Sequence, residues 1–301
     1  MTSKKFINVA LYGTIIFCLV FSAVCLKLAI TQDKDGFASS TSSEYTTTSS
    51  SLSPYAVELH DLTDITTVPP VGQLYLANPN GEPDRQEGVC TATVVKDTEV
   101  VTANHCIVGM KEGVSAVFTP LLHTDSTGQV IRPYGQCMVS VPLGAQDKNP
   151  ADDYVFLTID SCSDDQGEQQ TSLANIGSRI GTLGTGPVSQ SDWYSAKGQS
   201  FDVRAYGYPR VSYDSPTKDS CNSLYQLDTK PASSSWYAKT NLGGNALIIR
   251  DSLDRGASGG PILIVKNHQS FIASVISRKE NAETTGVYTA MSGASLPKVG
   301  K

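Results

Sequence analysis

The chain has 301 residues, a formal net charge of −6 and a pI near 5.2. An acidic balance of this kind argues against nucleic acid as a partner, since binding phosphate calls for clustered Lys and Arg. The sequence has no clustered Cys/His spacing for zinc and no phosphate-binding glycine loop, so it calls for no metal and no cofactor.

Lys4 and Lys5 precede a mostly apolar stretch, residues 6–30, interrupted late by Lys27. Its length suits a membrane-spanning helix, and its basic start suits a secretory signal. Residues 1–37 are therefore read as a signal peptide or a signal anchor. Both outcomes put the remainder outside the cell, and a membrane association follows only if the segment is retained. Residues 38–53 come next, and twelve of these sixteen are Ser or Thr. Such a tract cannot bury enough apolar surface to offset its ordering entropy. It is read as a linker or a stalk, and residues 54–70 as a candidate pro-segment.

The length from about residue 54 to 301 suits one larger all-β domain, with the domain proper placed at residues 71–301. Short runs rich in Val, Ile, Thr and Tyr alternate with Gly, Pro, Asn and Asp clusters. Strands are expected at Val89–Val95, Glu99–Ala103, Ala116–Phe118, Gln136–Val141 and Tyr154–Ile159. Others are expected at Ser200–Tyr206, Ala246–Ile249, Pro261–Val265 and Ser270–Ser277. No long amphipathic helix and no internal repeat is visible.

The most informative segment is Gly256-Ala257-Ser258-Gly259-Gly260-Pro261. A serine among glycines can sit on a sharp, exposed turn, because glycine reaches backbone angles closed to other residues. The N–H groups of Gly256 and Ser258 would then converge as an oxyanion hole. The pattern also matches the nucleophile elbow of α/β-hydrolases, which needs an acid and then a histidine after the serine. Only His268 follows Ser258, ten residues on, so the base must come from upstream.

His60, His105 and His123 lie upstream. His105 ends the β-branched run Val100-Val101-Thr102 on a small-residue turn, whereas His60 and His123 have polar or loop-like surroundings. The orienting acid is read as Asp153, at the entrance of the strand Tyr154–Ile159. Asp152 is its competitor, since neighbouring strand residues point to opposite faces. Asp160 lies at the far end.

These segments, in the order His, Asp, Ser, resemble the trypsin/chymotrypsin family of serine proteases. Thr102-Ala103-Asn104-His105-Cys106 is similar to that family's Thr-Ala-Ala-His-Cys. Asp153-Tyr154-Val155-Phe156-Leu157 is similar to its Asp-aliphatic strand, and the Ser258 segment to its Gly-Asp-Ser-Gly-Gly-Pro. The resemblance runs from Val71 to about Ser295. Val71–Leu76, Gly88–Val95 and Tyr206-Gly207-Tyr208-Pro209 look most like the secreted bacterial branch that includes glutamyl endopeptidases. The resemblance implies two six-stranded antiparallel β-barrels with the active site in the cleft between them. It implies His105 as base, Asp153 as its orienting acid and Ser258 as nucleophile in a serine endopeptidase acting on a protein or peptide. It supports a Cys90–Cys106 disulfide, while spacing suggests Cys137–Cys162 and leaves Cys221 over.

The departures carry information. Ala257 stands where animal enzymes carry the aspartate that pairs with a newly cut N-terminus, and no matching activation site is visible. By the same resemblance the substrate pocket is assigned to Ser252, six residues before the serine, and to Ser277 and Arg278 along one wall. The histidine that glutamyl endopeptidases place on that wall is missing, which leaves Arg278 and Lys279 to meet an acidic side chain or to be solvated. Two rival readings are a non-catalytic binding protein on a protease fold and a precursor that is latent until trimmed.

Overall fold

The β-branched runs fold as strands whose alternate faces feed different cores. In the computed structural model of the protein, the described residues are 56–60, 62, 68–77, 89–107, 115–141, 153–163, 167–184, 202–209, 222–229, 237–239, 245–249, 253, 256–266, 269–281 and 285–290. Residues 1–53, Asp152, Cys221, Ser252 and His268 lie outside them. Among the described residues no helix is long and apolar enough to cross a membrane.

A short strand, β1 (Ala56–Leu59), comes first. Then follow β2 (Val71–Leu76), β3 (Val89–Lys96), β4 (Glu99–Thr102), β5 (Ser115–Pro120), the two-residue strands β6 (His123–Thr124) and β7 (Val130–Ile131), β8 (Cys137–Ser140), β9 (Val155–Ser163) and β10 (Gln169–Gln170). Strands β2, β3, β4, β9, β8 and β5 pair antiparallel in a ring, with β10 added outside β9. That ring is one closed six-stranded barrel. Its interior takes Leu74, Ala92, Val94, Phe118, Val155 and Leu157, and a short helix, α1 (Ile176–Ile180), adds Ile176 and Ile180 to the same core.

The second half contributes β11 (Asp202–Gly207), β12 (Leu224–Thr229), β13 (Tyr237–Lys239), β14 (Asn245–Ile249), β15 (Pro261–Lys266), β16 (Gln269–Asn281) and β17 (Thr285–Ala290). They form an eight-stranded sheet in the order β1-β12-β11-β15-β16-β17-β14-β13. The expected all-β, chymotrypsin-like class is observed. Among the described residues no ladder closes this second sheet into a barrel.

The outward face of the barrel and one face of the sheet meet in a shared core. Val71, Val95 and Val101 from the barrel pack there with Tyr206, Leu263 and Val275 from the sheet. The opposite face of the sheet covers a third core of Val203, Leu227, Ile262, Ile264 and Ile276. Consecutive residues such as Ile262 and Leu263 therefore enter different cores, as a two-residue side-chain period requires. Burial on both faces explains why these strands read as continuous apolar runs.

Both expected disulfides form. Cys90–Cys106 joins β3 to the turn after β4, and Cys137–Cys162 links directly opposed residues of β8 and β9. The stretch assigned to a candidate pro-segment includes β1, which pairs antiparallel with β12 from Ala56↔Leu227 to Leu59↔Leu224. Tyr225 Oη donates to Glu58 Oε2 at 2.9 Å, and Leu62 is buried in the shared core.

Candidate active site

Strand register brings the first two groups together. In the β4–β9 ladder Thr102 lies opposite Val155, so the turn after Thr102 reaches the residues just before Val155. That turn is a single 3-10 turn, Asn104–Cys106, held by Cys106 N–H to Ala103 O at 3.1 Å and braced by Cys90. Asp153 grips it twice. His105 Nδ1–H donates to Asp153 Oδ2 at 2.7 Å, and the His105 amide donates to Oδ1 at 2.8 Å. The amide contact orients the carboxylate, and the Nδ1 contact with that carboxylate sets the imidazole tautomer and the direction of the ring.

The two side chains differ in exposure, 37% for His105 against 14% for Asp153. Asp153 is thus mostly buried, while the His105 ring meets solvent. Burial pushes the Asp153 carboxyl up. The hydrogen bond and charge of His105, the Ser277 hydroxyl and the His105 amide outweigh that effect and hold it below the ordinary carboxylate value. Asp153 thus stays ionised at neutral pH.

Ser258 sits on the turn before β15. Gly256 has φ +95° and Gly259 has φ +84°, in the left-handed region that favours glycine. A Cβ on Gly259 would lie 2.1 Å from Thr102 Oγ1 and 2.2 Å from Thr91 O, so the turn presses against the barrel with no room for a side chain. Gly259 N–H donates to Ile276 O at 2.7 Å, and Ile276 N–H donates to Gly260 O at 2.8 Å, which ties the turn to β16. Ser258 Oγ–H donates to Ser277 O at 3.5 Å. Among the described residues no acceptor takes the N–H groups of Gly256 and Ser258.

Ser277 joins the two halves of the site. Its hydroxyl donates to Asp153 Oδ2, and its carbonyl accepts from Ser258. It was assigned to the pocket wall, and its contact with the acid is not visible in any local pattern. Arg278 continues β16 opposite Val287, and only its backbone is described. Ser252 lies outside the described residues. The other upstream histidines sit elsewhere. His123 is buried, with Nδ1–H donating to Leu121 O at 2.9 Å, and His60 Nδ1–H donates to Thr124 O at 3.0 Å.

Cys90, His105 and Cys106 bring one potential ligand atom each within 4.8 Å of one another. Both sulfurs are spent in the disulfide, so the trio offers a metal one imidazole and no thiolate.

Solved structures share this fold. A thermostable serine protease, AL20, from an extremophilic microorganism superposes with a TM-score of 0.50 at 17% identity, covering 75% of this chain and 93% of its own. A Glu endopeptidase structure gives 0.52 at 12% identity, covering 79% and 93%. At these identities the likeness is one of fold. No curated protein sequence matches the chain. The sequence profile of the trypsin family matches residues 71–296, three quarters of the chain, and the protein belongs to that family.

Proposed function

We propose that the protein is a serine endopeptidase working through Ser258, His105 and Asp153. One observation carries the reading: Asp153 holds His105 through two hydrogen bonds, and Ser277 touches both Asp153 and Ser258. Ser258 Oγ attacks the peptide carbonyl while His105 takes its proton. The Gly256 and Ser258 amides receive the oxyanion, the Ser258–carbon bond forms, and the tetrahedral species collapses. In that collapse the C–N bond breaks as His105 gives its proton to the leaving amine, which departs and leaves the acyl-enzyme. Water repeats the cycle on the acyl-enzyme, with His105 again as base. Asp153 remains ionised throughout and stabilises the imidazolium.

Ser252, Ser277 and Arg278 are proposed to line the primary pocket. A peptide-library cleavage profile reads its preference directly. The two disulfides support action in an oxidising, extracellular-facing compartment. Labelling by a fluorophosphonate probe, with peptide hydrolysis assayed alongside, tests the mechanism. Both are expected in the wild type and absent in Ser258→Ala, and a Ser258→Ala variant that still hydrolyses peptide refutes it.

A further inference from the structure

We propose that Thr91, acting through its hydroxyl, is a positioning residue for the oxyanion-binding amides of Gly256 and Ser258. The proposal rests on the reading of Ser258 as nucleophile. Thr91 lies in β3, fully buried, on the barrel face that meets the nucleophile turn. Its hydroxyl donates to Gly256 O at 3.0 Å, and its amide donates to Ser258 O at 2.7 Å. One strand residue therefore holds the carbonyls of the same two residues whose amides are proposed to receive the oxyanion.

The turn needs such a hold. Three of the five residues from Gly256 to Gly260 are glycine, and a glycine-rich segment has the widest choice of backbone conformations. Ala257 is buried among apolar side chains that include Leu253, Ile262 and Ile276. Its methyl group anchors the turn but gives no direction to the carbonyls on either side, and it carries no charge that could. Hydrogen bonds supply the direction.

The Thr91 hydroxyl is itself held. Tyr208 N–H donates to Oγ1 at 3.0 Å. That contact occupies a lone pair and limits rotation of the hydroxyl, so its single proton is aimed at Gly256 O. The Thr91 carbonyl in turn accepts from Thr102 Oγ1 at 2.7 Å. Thr102 ends β4, three residues before His105, so the strand that delivers the base also steadies the clamp on the oxyanion turn.

The test compares Thr91→Val, Thr91→Ser and wild type on one cleaved peptide, with near-UV circular dichroism confirming the fold. Thr91→Val is expected to lower kcat by about 10- to 100-fold, since small misplacement of a catalytic group costs up to about 100-fold. Its KM should stay within about twofold, because the interaction acts in the transition state. The inhibition constant of a peptidyl trifluoromethyl ketone, whose adduct with Ser258 carries an oxyanion, should rise in step with the loss in kcat. That of a product-like peptide should not. Thr91→Ser restores the hydroxyl and should recover kcat to within about threefold. If Thr91→Val does not fold, Thr91→Ala carries the same comparison. A folded hydroxyl-free variant with wild-type kcat, a loss confined to KM, an unchanged ketone constant, or a Thr91→Ser as impaired as Thr91→Val overturns the proposal. Fluorophosphonate labelling separates the two levels. A wild type that is not labelled at Ser258 defeats the protease reading, whereas a labelled wild type beside a full-speed Thr91→Val defeats only the role of Thr91.

Discussion

The Ser277 hydroxyl donates to Asp153 Oδ2, the same oxygen that receives His105 Nδ1–H. The acid of the barrel is thus completed by a residue of the second sheet. A carboxylate oxygen taking two donors is charge-assisted and strongly directional. Ser277→Ala removes one donor and keeps the backbone carbonyl that meets Ser258. The expected cost is about 1.5–3 kcal/mol of folding stability at neutral pH, the range for hydrogen bonds to charged groups. Urea unfolding of the two proteins measures it. A fall in kcat without collapse of activity should accompany it, since His105 keeps both of its bonds to Asp153.

Asp153→Asn addresses the tautomer. An amide in this place can offer an N–H to His105 Nδ1, which would put the imidazole proton on the wrong nitrogen. Loss of about 10³- to 10⁴-fold in kcat is expected, on the pattern of acid-to-amide changes in such triads. Steady-state kinetics at pH 7 measures it, and an Asp153→Asn enzyme within tenfold of wild type would assign the orienting role elsewhere.

The same carboxyl predicts a pH dependence of stability. Its folded pKa lies below the ordinary value of 3.8, so the native state favours the ionised form. The resulting stabilisation is fully present above the unfolded value and is lost as the pH falls through the folded one. The stability difference between wild type and Asp153→Asn should therefore be flat above about pH 5 and shrink below it. Urea unfolding across that range reads the difference, and a gap that widens toward low pH contradicts the assignment.

Gly259→Ala and Gly128→Ala separate crowding from backbone strain. Both glycines have positive φ, +84° and +85°. Around Gly128 nothing lies within 4 Å of an added Cβ, whereas at Gly259 the Cβ would run into Thr102 Oγ1, Thr91 O and Ala103 N. Gly128→Ala should cost only about 1–2 kcal/mol, the left-handed penalty of an ordinary residue. Gly259→Ala must displace the Ser258 turn, and should lose fluorophosphonate labelling together with thermal stability.

Truncation tests whether residues 54–70 are dispensable. Removing residues 1–53 leaves β1 and its partners intact and should not change the unfolding free energy of the domain. Removing residues 1–62 deletes β1, the Glu58–Tyr225 hydrogen bond and buried Leu62. A loss of about 3 kcal/mol is expected from one buried leucine and one hydrogen bond. Denaturant unfolding of the two truncated proteins measures it.

Much of the fold and the site was legible where the signal is local. The run ending at Thr102, the strand after Asp153 and the glycine-framed Ser258 each carry their own pattern, and β4–β9 pairing sets His105 against Asp153. The opposed Cys137 and Cys162 were likewise legible from strand placement. What escaped depends on distant partners. Thr91 looks like any β-branched strand residue until Gly256 O and Tyr208 N–H are seen against its hydroxyl. The resemblance places Ser277 on the pocket wall, and its contact with Asp153 is invisible in the sequence because it crosses from one sheet to the other. Strand β1 sits in a stretch whose composition gives no reason to expect pairing with β12.

The register of β1 also bears on the order of events during folding. Ala56 is paired with Leu227, more than half the chain away. During synthesis the first described strand emerges long before its partner exists, and loop closure over such a distance is slow. β1 is therefore expected to close late, as a latch on the second sheet. Until it closes, the free edge of β12 is open to intermolecular pairing, so the period before latching is when aggregation is the greater hazard.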